Sequence, residues 1–145
     1  MLRIFKKITI LFIFLSFQSL SLSDDNFFKD ALNFYENKKY DEARFLFERN
    51  IVFNPKDANS YLYLAKIYNH EEDQRKEENN LETALLIEPD NEEALLMMMK
   101  ISIKKSNYDK VKNLSEIFSK VCKKLCDENE KINDSLKNID PINES

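Results

Sequence analysis

The 145-residue chain contains no glycine. A phosphate-cradling loop or a dinucleotide turn needs backbone without a Cβ, so both are disfavoured. Histidine is nearly absent: His70 is the only one and has no sequence-local partner. No Ser–His–Asp set, paired-carboxylate site or metal-spaced histidine cluster can be assembled, which argues against an enzyme, a metal site or another cofactor. Cysteine is limited to Cys122 and Cys126, and proline to Pro55, Pro89 and Pro141. What abounds is charge, at 33% of residues, and asparagine, at 16 positions. With glycine missing, asparagine is the residue expected at left-handed helix ends, which nominates Asn37, Asn54 and Asn69.

The longest apolar run stands at the N-terminus. Arg3, Lys6 and Lys7 precede Ile8–Phe17, and Ser21-Leu22-Ser23 places small residues just before Asp24. That is the layout of a secretory signal peptide over residues 1–23, cleaved after Ser23. The alternative is an uncleaved inner-membrane anchor facing the periplasm. Ile8–Leu22 includes Ser16, Gln18, Ser19 and Ser21, and it falls short of the roughly 20 apolar residues a span needs. Export, to a periplasm, is the expectation. The leader carries three of the 22 basic residues and none of the 26 acidic ones, so the remainder has a net charge of −7. An acidic exported chain is poorly suited to nucleic acid or to anionic lipid. Contact with a membrane is expected only through the N-terminal segment.

Helical periodicity dominates the rest. A first stripe covers residues 27–35, and a second runs from Tyr40 to Phe53, where Pro55 stops it because the residue before proline leaves the α region. Further helices are expected over residues 58–69, 75–88 and 91–105, and from about Asp109 to Leu125. A closing helix follows at 127–138. Asp57, Asp90 with Glu93, and Ser106 with Asp109 are the expected helix starts. The charged stretch 71–78 predicts a loose turn and a frayed helix start. Residues 139–145 read as a disordered tail.

Register is more specific than periodicity. Pro55 and Pro89 lie 34 residues apart, and the same interval relates Phe27, Tyr61 and Leu95, Ala31 and Ala65, and Phe34 and Tyr68. A period of this length marks a helical solenoid, whose units bury their apolar faces only against their neighbours. Phe27, Ala31, Phe34, Tyr40, Ala43, Phe47 and Pro55 in one unit resemble the tetratricopeptide repeat (TPR). So do Tyr61, Leu64, Ala65, Tyr68, Leu81, Ala84 and Pro89 in the next. A weaker third unit keeps Leu95, Met98, Tyr108 and Val111, with Met99 where a small residue is usual. The resemblance implies an all-α, right-handed α-solenoid of about three helix pairs, at 24–57, 58–91 and 92–125, plus the C-terminal capping helix. Gln74 and Glu77 depart from the pattern, standing where an aromatic and a small apolar residue usually pack.

The resemblance also implies a function: binding a protein or peptide ligand in a concave groove lined by the first helix of each pair. By register the groove residues would be Phe28, Leu32 and Tyr35; Leu62, Lys66, Asn69 and His70; and Leu96, Lys100, Ile103 and Lys104. Residues 61–65 and 95–99 are apolar almost all round, so these helices are either buried on two sides or offer an apolar surface. That surface could also serve self-association into a homo-oligomer. Cys122 and Cys126 admit three readings. A disulfide requires the helix to break near residues 124–126, because i, i+4 side chains of a continuous helix are poorly aimed for bridging. Free buried thiols are the second. A redox or copper-handling site with Met97, Met98 and Met99 is the third. N-terminal sequencing of the protein from its native cell is expected to begin at Asp24; a chain that retains Ile8–Leu22 would establish the anchor instead.

Overall fold

The computed structural model describes residues 26–139, and all of their regular structure is helical. The signal or anchor segment and the tail from residue 140 on lie outside the described residues. In order, the helices are α1 (Phe27–Glu36), α2 (Tyr40–Phe53), α3 (Ala58–His70), α4 (Gln74–Ile87), α5 (Glu92–Lys104), α6 (Tyr108–Val121) and α7 (Cys126–Ile139). Each packs chiefly on the next, so α1/α2, α3/α4 and α5/α6 form successive hairpins and α7 closes the end. Among the described residues no helix is long and apolar enough to cross a membrane.

The three hairpins turn in the same way. Lys38, Glu72 and Ser106, spaced 34 apart, all adopt left-handed backbone, with φ of 59°, 61° and 54°. Around each, two amides reach back into the preceding helix: Lys38 to the Tyr35 carbonyl and Lys39 to that of Phe34, both at 2.9 Å. Glu72 and Asp73 repeat the pair on Asn69 and Tyr68, and Ser106 and Asn107 on Ile103 and Ser102. This is the Schellman closure. The left-handed residues are therefore not the expected asparagines. Asn37 sits at φ −85° and donates its side-chain amide to the Asn33 carbonyl, Asn54 sits at φ −130°, and Asn69 lies within α3. The paired backbone bonds select the position, and whichever residue falls there accepts the strain.

Helix starts differ from expectation in detail. Asn91 and Asn107, not Asp90 or Ser106, cap α5 and α6, accepting from the amides of Ala94 and Lys110 at 3.0 and 3.1 Å. Asp57 precedes α3, but its carboxylate is drawn into a buried network with Asn50 and Ser60. The charged stretch does not fray: Asp73 accepts from the Lys76 amide at 3.1 Å, and α4 begins at Gln74.

Three apolar clusters run along the solenoid. The first joins Ala31, Ala43 and Phe47 to Leu64, Ile67 and Tyr68. The second joins Leu62 and Ala65 to Leu81, Ala84, Ala94, Met98 and Ile101. The third gathers Leu95, Leu96, Met99, Val111, Phe118, Ile132 and Leu136. Helix α3 thus contributes to the first two clusters and α5 to the last two, so their near-continuous apolar sequence is explained by burial on both sides. Each fully buried large side chain, Phe47 and Phe118 among them, contributes on the order of 1.5–3 kcal/mol. Met99, in the register of Ala31 and Ala65, is completely buried.

The sixth helix stops at Val121, earlier than its periodicity suggests, because the chain turns extended at Cys122 (ψ 140°). A Cys122–Cys126 disulfide spans the turn, with Cα atoms 5.4 Å apart. Glu92, from the start of α5, accepts from the amides of Lys123, Lys124 and Leu125 at 3.0, 3.0 and 2.9 Å. These amides hold its carboxyl below the usual carboxylate range. Helix α7 then lays Ile132 and Leu136 on the third cluster, while Ser115 donates to Asn133 and Asn129 donates to Ser119, each at 2.8 Å.

Left-handed backbone costs a non-glycine residue about 1–2 kcal/mol, partly offset by the chain entropy that glycine loses on folding. Lys38→Gly, Glu72→Gly and Ser106→Gly should therefore each stabilise the fold by about 0.5–1 kcal/mol in urea titrations followed by circular dichroism. Substitution of the adjacent Asn37 by glycine should give no such gain.

Candidate functional site

Stacking α1, α3 and α5 side by side leaves a groove of about 750 Å3 against the C-terminal parts of α1 and α3 and along most of α5. Tyr35 and Tyr40 form one end. Lys66, Asn69 and His70 of α3 and Glu77 of α4 form the middle, and Glu93, Met97, Lys100, Ile101, Ile103 and Lys104 of α5 form the far wall. The 34-residue interval aligns these side chains in rows: Lys66 with Lys100, Asn69 with Ile103, His70 with Lys104. Seven of the residues nominated by register, Tyr35, Lys66, Asn69, His70, Lys100, Ile103 and Lys104, are thus brought together.

The other four are not. Leu62 and Leu96 are only 4% and 5% exposed, sealed in the second and third clusters, because α3 and α5 turn their apolar sides to both neighbours. Phe28 lies toward the N-terminal end of α1, where its ring packs on Phe47 and Tyr63 at 5.6 and 5.9 Å and borders a separate recess of about 490 Å3. Leu32 is half-buried and does not line the groove. Tyr40, Glu77, Glu93, Met97 and Ile101 were not nominated. The signal for Glu77 was its charge at a register position held by Ala43 and Val111 in the other units.

Electrostatically the groove is mixed. Lys66 pairs with Glu93 at 2.8 Å and lies 4.4 Å over the Tyr63 ring. Burial, reinforced by Glu93, pushes the Tyr35 and Tyr63 hydroxyls above their ordinary range. Tyr40 packs against Tyr35 edge-on and against His70 at 4.4 Å between ring centres. Among the described residues, Lys100 and Lys104 form no ion pair; they act through space on Glu128 and Glu77 respectively. Glu77 is 3% exposed and accepts from the Asn69 amide at 2.9 Å. Burial raises its carboxyl above the ordinary 4.5, opposed by Asn69 and by Lys104.

The methionine run does not converge on the cysteines. Met97 lines the groove, Met98 belongs to the second cluster and Met99 to the third, since successive residues of a helix point about 100° apart. Among the described residues no group of three or more His, Cys, Asp or Glu side chains is placed to hold a metal ion.

No protein-family model matches the sequence, and no curated protein matches it. Solved structures do match the fold. The Sgt2 TPR domain from Aspergillus fumigatus superposes with a TM-score of 0.67 at 14% identity, covering 83% of each chain. The Arabidopsis OM64 TPR domain gives 0.67 at 16% identity, over 78% of this chain and 93% of that one. The Yersinia enterocolitica type III secretion translocator chaperone SycD gives 0.69 at 12% identity, over 92% and 94%. The chain has the tetratricopeptide-repeat fold.

The buried carboxylate gives this site a pH signature. The folded protein holds the Glu77 proton to higher pH than the unfolded chain does, so this group lowers wild-type stability as pH rises from about 4.5 through the raised folded-state value. Glu77→Gln lacks that loss. Its thermal midpoint should match the wild type near pH 4 and exceed it increasingly toward pH 7; a gap constant with pH would show that Glu77 is not desolvated.

Proposed function

From a TPR fold with an open groove on the side lined by α1, α3 and α5, we propose that this chain is a non-enzymatic interaction module that holds a peptide or protein segment there. The observation that carries the reading is the convergence of side chains from three successive units on one groove, with Lys100 and Lys104 unpaired among the described residues. A segment bringing carboxylates to these ammonium groups and apolar side chains to Tyr35, Met97 and Ile103 complements the lining. Within an acidic protein such a basic strip also steers an acidic partner to one face.

The signal-like leader supports an exported, periplasmic setting, and with it roles in cell-envelope assembly or in the maturation of exported proteins, cytochromes included. The likeness to a secretion translocator chaperone supports a protein-handling role on the same fold. Retention of Ile8–Leu22 would make the module a membrane-tethered subunit instead, with the same groove.

A photo-crosslinking amino acid at Met97, in the groove, should capture a defined partner in native cells, whereas the same group at Asn79, on the exposed side of α4, should not. Lys100→Glu/Lys104→Glu should abolish the Met97 crosslink while leaving the helical circular-dichroism spectrum intact, because Lys100 and Lys104 are exposed. Equal capture from both positions, or capture that survives the charge reversal, would remove the groove as the binding surface.

A further inference from the structure

We propose that Glu77 is a specificity-determining residue of this groove, receiving the ammonium or guanidinium group of a lysine or arginine, so that the bound segment has mixed charge and is not a purely acidic tail. The inference rests on the groove reading above and deepens it. Three observations carry it. First, the fold does not require the carboxylate: in the same register the other two units carry Ala43 and Val111, both completely buried. Second, Glu77 is nearly sealed and yet forms part of the groove wall. Third, its hydrogen bonding is incomplete. Asn69 donates to Oε1, and among the described residues no protein group donates to Oε2 and no cation forms an ion pair with Glu77.

Among the described residues, four other buried polar side chains are hydrogen-bonded within the fold, whereas Asn129 of α7, far along the chain from Glu77, leaves its Oδ1 without a partner. Asn50 donates to Asp57 and Ser60, and Ser60 donates to Asp57; Ser102 donates to the Met98 carbonyl; Ser115 donates to Asn133. Glu77 is largely buried with one protein donor, and its Oε2 is not among the sealed unpartnered atoms, so that oxygen remains reachable from the groove and open to a ligand donor. A ligand ammonium or guanidinium supplies both the missing donor and the opposite charge. The neighbouring Gln74, one turn earlier on α4, also has a buried amide nitrogen without a partner. The residue as a whole is half-buried and does not line the groove.

Lys104 acts through space on Glu77 without pairing with it, so a cation enters beside Glu77 together with ligand carboxylates that engage Lys104. Lys66 is already neutralised by Glu93. The charged groups left for a partner are Lys100 and Lys104 on α5 and Glu77 on α4, with His70 and Asn69 of α3 beside them. A basic side chain on Glu77, flanked in the ligand by carboxylates that reach Lys100 and Lys104, satisfies all three.

The test is fluorescence anisotropy of full-length protein with labelled nine-residue peptides in a fixed Asp/Leu frame, whose central residue is Lys, Arg, Gln or Leu. Wild type should bind the Lys and Arg peptides at least tenfold more tightly than the Gln and Leu peptides. Glu77→Gln should erase that preference while retaining the weaker affinity for the Gln peptide. Glu77→Ala, which installs the residue of the first unit, should do the same and guards against an effect of the glutamine amide. A preference that persists in both variants, or is absent from wild type although all four peptides bind, overturns the role of Glu77 and leaves the groove standing. Failure of every peptide to bind wild type overturns both.

Discussion

Everything in this molecule depends on the inability of a single helix pair to bury its own apolar surface. Helices α3 and α5 have apolar side chains around most of their circumference, and each is covered only when units stand on both sides of it. The ends of the stack need other solutions. At the C-terminal end α7 covers α5 and α6, and it is held there by the Glu92 carboxylate on three backbone amides and by the disulfide that shapes the turn. One constraint thereby accounts for both the repeat and the closing helix.

Apolar burial does not by itself say which unit follows which, and ion pairs between units add that information. Arg44 pairs with Glu71 across the first junction; at the second, the residues 34 further on, Glu78 and Lys105, pair with the charges exchanged. Each such partly exposed pair contributes on the order of 0–1 kcal/mol. A stack that set the first unit directly against the third would place Arg44 against Lys105, so the exchange favours the observed order through repulsion in the wrong one. Lys66 with Glu93 repeats the 27-residue separation on the groove side and removes one lysine from the charge available to a partner. The same device that orders the units thus shapes the electrostatics of the groove.

The period, the helical class and the fold were legible because they rest on residues that recur: Pro55 and Pro89, Ala31 and Ala65, Phe34 and Tyr68. The lysine rows of the groove were legible for the same reason. Leu62 and Leu96 were misread because a register says which residues are equivalent, whereas exposure depends on what the neighbouring unit covers. Glu77 was visible as a departure from the pattern, but a local reading of its charged surroundings placed it in a loose turn and frayed helix start. The asparagine caps were displaced because a left-handed turn is selected by backbone hydrogen bonds three and five residues apart, to which residue preference is secondary.

The amino-acid sequence by itself determined the repeating unit and the order of helices, since hydrophobic period and proline spacing act locally and need no knowledge of the partner surface. It also determined which positions are equivalent along the stack. Only the tertiary structure decided which of those positions remain open. Packing of adjacent units seals Leu62 and Leu96, pairs Lys66 with Glu93, and draws Glu77 into the wall of a groove that three helices must meet to form. These outcomes depend on contacts between residues tens of positions apart, and such contacts exist only once the units have stacked.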